Sequence, residues 1–165
     1  MFAWSEDDII SVDFKEGPSK NGQSWVTNFT GFNLVPNNPN VLFALYIGDL
    51  IPEVELCSDD VLLNGAYYVL QKFLGKTYKN ITKPTKLAFN NWITHPHFYG
   101  AVSYQTVESV KNKVSWDDLA EPVSFNGKPR LLFSGEATST CCYGSVNGAV
   151  LSGFREANRI IDVYK

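Results

Sequence analysis

The chain has 165 residues, of which 44% are hydrophobic and 14% aromatic, enough apolar material for one sizeable core and too much for a disordered segment. Its formal net charge of −3 argues against partners that are bound through clustered Lys and Arg, nucleic acids and anionic membranes, and puts no obstacle before a cationic amine. No apolar stretch approaches the about 20 residues that cross a bilayer, and the acidic N-terminus is unlike a secretory leader, so no membrane association and a cytosolic location are expected.

In chain order, Ile9 to Phe14 and Trp25 to Phe29 run apolar or alternate on either side of the turn-rich GPSKNG at 17–22, which predicts a strand pair. Residues 36–40 read as a plain loop. Val41 to Ile47 is a continuous apolar run closed by Gly48-Asp49, short and aromatic enough to predict a buried strand. Ser58 followed by Asp59 and Asp60 predicts the N-cap and acidic first turn of a helix that covers the sheet through Leu62, Ala66, Val69, Leu70 and Phe73 and stops at Gly75. Residues 84–92 read as a strand, 114–119 as a short helical turn, 130–134 as a strand and 145–164 as the terminal helix.

The most informative stretch is Leu131 to Arg159. Leu131, Leu132 and Phe133 make an apolar run fit for a fully buried strand, and Gly135 lets the backbone leave it at dihedrals other residues avoid, so that a ligand can approach the main chain. From Val146 the apolar residues Val146, Ala149, Val150, Phe154, Ala157 and Ile161 fall at helical spacing on one face, with Ser145 or Asn147 near the N-cap. The first N–H groups of such a helix point at something negative or electron-rich.

Leu132-Phe133-Ser134-Gly135-Glu136-Ala137-Thr138 and Gly148-Ala149-Val150-Leu151-Ser152-Gly153-Phe154-Arg155-Glu156-Ala157 resemble the C-terminal FAD-binding segment of the flavin-containing amine oxidases, most closely the polyamine (spermine and acetylpolyamine) oxidase branch. Trp92-Ile93-Thr94-His95-Pro96, Gly100-Ala101-Val102-Ser103-Tyr104 and Leu119-Ala120-Glu121-Pro122 are similar to further blocks of that branch, in the same order. Phe2-Ala3-Trp4-Ser5-Glu6-Asp7-Asp8 looks like its aromatic F-W-x-x-x-D stretch.

The resemblance implies a mixed α+β and α/β architecture. Residues 1–90 correspond to the back of a substrate domain, a mixed sheet with a covering helix, and 91–165 to a return into the FAD domain by a strand and a long helix. It implies FAD as cofactor, Trp92, Gly135, Glu136, Ser145 and Val146 as cofactor-binding residues, and Val102 and Ser145 as substrate-facing walls. The Val146 backbone N–H corresponds to one that faces the flavin N1 and C2 oxygen. The implied reaction is oxidation of an amine C–N bond, of a polyamine above all, to an imine with dioxygen reduced to hydrogen peroxide.

Departures accompany these matches. Val102 stands where many polyamine oxidases carry Tyr or Phe, Ser145 where Tyr or Thr is usual, and Asn147 where His is usual. No G-x-G-x-x-G occurs and no lysine matches the family's flavin-proximal one, so the chain reads as the C-terminal portion of such an enzyme, partnered by a missing N-terminal half and inactive alone. The competing readings are a non-catalytic truncated paralogue or interaction fragment, and a relative acting on methylated lysine. No residue stands out as a catalytic acid or base. His95 and His97, flanking Pro96 with no third ligand, read as a solvated loop and not a metal site. Cys141 and Cys142 read as two reduced thiols beside a cofactor loop.

Overall fold

The computed structural model describes residues 4–165, so Met1, Phe2 and Ala3 of the aromatic stretch lie outside the described residues. The chain separates into two compact units, one ending at Tyr99 and the other spanning Gly100–Lys165.

The first unit is organised around Trp25. Its indole is 1% exposed, and Nε1 donates 2.9 Å to the Glu16 carbonyl. The ring sits within 6.1 Å of the rings of Phe14, Phe29 and Tyr46. Val26, Leu50, Val54, Leu62 and Val69 complete the buried cluster. Helix α1 (Glu6–Ile10) takes the first two residues of the strand expected at Ile9 to Phe14, and residues 11–14 form no strand. A capping box is the cause, since Ser5 Oγ accepts the Asp8 N–H and the Asp8 carboxylate accepts the Ser5 N–H, which fixes the first helical turn before any strand pairing.

The paired strands lie within and directly after the predicted turn instead. β1 (Ser19–Lys20) and β2 (Gln23–Ser24) are antiparallel across Asn21 and Gly22, both at positive φ, as a two-residue hairpin requires. Trp25–Asn28 is likewise not a strand but a 3-10 turn, because Thr27 Oγ1 donates back to the Ser24 carbonyl and three consecutive residues, Trp25, Val26 and Thr27, are buried without alternation.

β3 (Phe29–Val35) then pairs antiparallel with β4 (Asn38–Tyr46) around Asn37 at positive φ. The apolar run 41–47 forms β4 as its composition predicts, except that it is not buried. Val41, Leu42, Phe43, Leu45 and Ile47 are all about half exposed or more, because the sheet has only two strands and β4 is an edge. A short helix α2 (Ile51–Val54) leads to α3 (Asp59–Leu74), capped by Ser58 and closed at Gly75 as the sequence predicts. Its inner face carries Leu62, Val69 and Leu70, with Ala66 and Phe73 half-buried against the same core. The strand expected at 84–92 does not form; 84–91 run without a sheet partner and Trp92 lies in a turn.

The second unit has α4 (Val107–Lys111), α5 (Trp116–Ala120), a hairpin of β5 (Val123–Phe125) with β6 (Lys128–Leu131), a 3-10 turn at Glu136–Thr138 and α6 (Val146–Tyr164). Asn126 and Gly127, both at positive φ, make the hairpin. The strand expected at 130–134 therefore starts earlier and ends earlier. It is also not fully buried: Leu131 and Phe133 are exposed. The apolar face of α6 points away from the unit, with Val146 80% and Phe154 64% exposed, and the residues it buries are Gly148, Ser152 and Glu156.

Gly65 shows how tightly the first unit is packed, because a Cβ there would come within 2.4 Å of Trp25 Cζ2. Ala is the better helix former by about 1 kcal/mol, yet Gly65→Ala is expected to destabilise the first unit by roughly 1–3 kcal/mol through overpacking. Chemical denaturation followed by Trp fluorescence checks this, and a neutral or stabilising result would show that α3 is free to move off the indole.

Candidate functional site

The second unit builds its site from the C-terminal end of the strand segment and the start of α6. Gly135 has φ +146° and nothing within 4 Å of where a Cβ would stand, so the main chain there is both conformationally special and open to an approaching group. Its N–H does not face that space, since it donates 2.9 Å to Ser152 Oγ, whose own hydroxyl donates to the Ala149 carbonyl.

Arg155 clamps the other side of the turn. Its guanidinium donates to the carbonyls of Thr138 (2.7 Å) and Phe133 (2.9 Å) and to Thr138 Oγ1 (2.9 Å), and its Nε pairs with the buried Glu156 carboxylate at 2.6 Å. Arg159 pairs with the second oxygen of Glu156 at 3.2 Å. The planar fork of an arginine suits this simultaneous bridging of strand, turn and helix.

Glu136, at the turn, accepts from Ser103 Oγ through one oxygen and from the Gly144 N–H at 2.5 Å through the other. That carboxylate joins the segment containing Val102 to the loop before α6, bringing together two blocks that lie 33 residues apart. Ser145 is the N-cap, its Oγ accepting the Gly148 N–H at 3.1 Å and donating to the Cys142 carbonyl at 2.6 Å. Val146 and Asn147 therefore keep N–H groups without a partner among the described residues, at the positive end of a 19-residue helix. An anionic or electron-rich edge fits at such a helix start. Val102 is 73% exposed on the segment tied to Glu136.

Gly135, Glu136, Ser145, Val146 and Val102 thus belong to one unit. Trp92 belongs to the other. It stands edge-to-face with Phe98 at 5.4 Å in a cleft of about 460 Å³ lined by Phe89, Asn90, Asn91, Trp92, Thr94, His95 and Phe98. His95 Nδ1 accepts the His97 N–H, and its ring lies 5.0 Å from that of Phe98.

Two elements of the machinery were not singled out from the sequence. One is the Arg155–Glu156 clamp. The other is Glu55, 7% exposed, whose carboxylate accepts the N–H groups of Ile93 (2.9 Å) and Thr94 (3.0 Å) and the Thr94 hydroxyl (2.9 Å). Burial pushes its carboxyl up, but the Ile93 N–H, the Thr94 hydroxyl and N–H and the Trp92 N–H outweigh that and hold it below the usual carboxylate range. A Glu three residues before a helix N-cap carries no sequence signal of a loop some 40 residues further on.

Because the folded carboxyl is lowered, Glu55 restrains the Trp92–Phe98 loop above the ordinary Glu range, near about pH 4.3, and releases it as the pH falls through the lowered folded value. Amide exchange at Ile93 and Thr94 should lose protection on acidification. In Glu55→Gln the exchange should be at least about tenfold faster at neutral pH, corresponding to roughly 1.5 kcal/mol for a charge-assisted hydrogen bond. Exchange at Ile93 and Thr94 that is the same in Glu55→Gln as in the unmodified chain would remove this role.

Comparison with known proteins gives the family. The family model for flavin containing amine oxidoreductases matches residues 2–161. The chain is 31% identical over 150 residues to polyamine oxidase 1 of Oryza sativa subsp. japonica, an alignment covering 86% of this chain and 28% of that protein. It is 30% identical over 146 residues to a peroxisomal N(1)-acetyl-spermine/spermidine oxidase of Homo sapiens, with 86% and 28% covered. It is 36% identical over 130 residues to a possible lysine-specific histone demethylase 1 of Drosophila melanogaster, with 75% and 14% covered. The chain spans less than a third of the length of these relatives. With the match running from end to end through the Gly135 turn and the start of α6, the chain belongs to the flavin-containing amine oxidoreductase family.

Proposed function

We propose that these residues form one wall of an FAD pocket in a polyamine-type amine oxidase, completed by a dinucleotide-binding half. The observation that carries the reading is the pairing of an open, positive-φ Gly135 with the two unpartnered N–H groups of Val146 and Asn147. When bound, the flavin would take two electrons from the amine and pass them to dioxygen, leaving imine and hydrogen peroxide. This chain's part is to hold and polarise. Gly135 admits the cofactor to the main chain, Glu136 fixes the turn against the Val102 segment, and the start of α6 favours negative charge at its end. Trp92, held by the Glu55-bound loop, would add an aromatic surface. In this reading residues 1–90 belong to the substrate domain, 91–165 to the FAD domain, and Val102 and Ser145 border the substrate. Ser145 does so sterically, since its hydroxyl is used within the chain.

In a protein that carries the dinucleotide-binding half, Gly135→Val is expected to abolish flavin retention, because a β-branched residue is strained at φ +146° and its side chain fills the open face. Gly153→Ala, on a helix with open space around it, should keep flavin at wild-type stoichiometry. Equal flavin-to-protein ratios would move the cofactor away from this turn.

Val102→Tyr in the same protein is expected to raise the rate of anaerobic flavin reduction by polyamines up to about tenfold, about 1.4 kcal/mol from a rigid ring beside an extended cation. Spermine, spermidine and their acetylated forms are the substrates to compare. A peptide bearing methylated lysine belongs in the same series, since the relative named as a possible lysine-specific histone demethylase is 36% identical. Reduction by that peptide alone would favour the demethylase reading. Slower reduction by every amine in Val102→Tyr would remove Val102 from the substrate wall.

A further inference from the structure

The loop between the Gly-Glu turn and α6 carries chemistry that flavin binding does not use. Cys141 and Cys142 are both free thiols, and their Sγ atoms stand 2.7 Å apart. Cys141 is exposed, and its sulfur also contacts Ser139 Oγ at 3.7 Å. The remaining cysteine, Cys57, lies in the other unit with its Sγ donating to the Glu53 carbonyl.

The pair is wired to the helix start. The Cys142 carbonyl accepts the Ser145 hydroxyl at 2.6 Å, and the same hydroxyl accepts the Gly148 N–H. A Cβ on Gly148 would lie 2.2 Å from that carbonyl oxygen, so the loop and the first turn of α6 are in close contact.

We propose that Cys141 and Cys142 form a dithiol modification site that hydroperoxide converts reversibly to a vicinal disulfide, and that closing it displaces the Cys142 carbonyl from the Ser145 cap. Cys141 is the attacking sulfur. The hydrogen bonds from Cys142 and Ser139 hold its thiol below the usual range, the Cys142 thiol is held above it, and burial pushes the Cys57 thiol up. The Cys141 thiolate attacks a peroxide oxygen, the O–O bond breaks, and the leaving oxygen takes a proton to become water. The Cys142 sulfur, losing its proton, then attacks the sulfenic sulfur, the S–O bond breaks and a second water leaves. Two thiols lose two electrons and one hydrogen peroxide becomes two waters. The oxidant can come from any source, so the inference stands apart from the chain's own turnover.

Geometry makes the change consequential. Adjacent Cα atoms across a trans peptide are about 3.8 Å apart, and all described peptides here are trans. Disulfides usually span about 4.4–6.8 Å between Cα atoms, a separation adjacent residues cannot reach, so closure of the ring has to be taken up by torsions of the Cys141–Cys142 backbone, and a bond closed under strain is easily reduced again.

The test uses the whole chain, fully reduced and then treated with one equivalent of hydrogen peroxide. Titratable thiols should fall from three to one and the intact mass by about 2 Da, with the bond mapped to Cys141–Cys142 and dithiothreitol restoring all three. Cys142→Ser should accumulate a dimedone-reactive sulfenic acid at Cys141, whereas Cys141→Ser should not. Amide exchange at Gly148 should quicken about tenfold on oxidation and recover on reduction. Three thiols remaining after excess peroxide, a Cys57-linked dimer, or direct passage to sulfinic acid would overturn the site. Unchanged Gly148 exchange in the closed form would overturn its coupling to α6.

Discussion

One guanidinium joins strand end, turn and helix in the second unit. Arg155 reaches from α6 to the carbonyls of Phe133 and Thr138 while its own charge is balanced by buried Glu156. The positive φ of Gly135 is tolerable because the residues on both sides of it are held, Ser134 and Gly135 by Ser152, Thr138 by Arg155. The clamp acts together with Ser152, which holds Ser134 and Gly135 to α6, and with Glu136, which ties the turn to the loop before α6. These bonds carry an open glycine and two N–H groups without a partner among the described residues on one unit, and the proposed cofactor edge would use both.

The clamp is needed because the unit has little apolar core. Its buried residues include Thr138, Ser139, Ser152 and Glu156, and the large apolar side chains of α6 and the strand segment are exposed. Hydrogen bonds and ion pairs replace burial as the local restraint, and the apolar faces left outside are surfaces a larger fold would cover. The first unit is the reverse. There Trp25 gathers Phe14, Phe29, Tyr46 and the glycine-thinned face of α3 into an aromatic core, with polar bonds such as those of Glu55 to its loop and of the Trp25 indole to Glu16 at its margin.

What the sequence revealed follows from range. Signals carried within a few residues were legible. The Ser58 cap, the Gly75 stop, the special backbone at Gly135, a cap at Ser145 as one of two candidates, and the strand character of 41–47 agree with the structure, because caps, glycine dihedrals and periodicity are local. The Ser5–Asp8 capping box and the Asn126-Gly127 turn are equally local signals, but the expected strands at 9–14 and 130–134 rested on the apolar residues that follow them. Burial was read poorly. An apolar run such as Val41–Ile47 or Leu131–Phe133 states what a strand could bury, and only the neighbours decide whether it does. The bonds of Glu55 to residues 93–94, of Glu136 to Ser103 and of Arg155 to Phe133 join positions 22 to 39 apart. No pattern in a single sequence marks them.

The central claim is that the start of α6 faces the edge of a flavin that gains negative charge on reduction. Backbone amide resonances of Val146 and Asn147, followed by NMR in the flavin-loaded protein with its dinucleotide-binding half, test it most directly. Both should shift when flavin binds and again when it is reduced anaerobically, with the Ser145-capped Gly148 amide moving far less. Bound flavin that leaves the Val146 and Asn147 amides unmoved through binding and reduction would contradict the account.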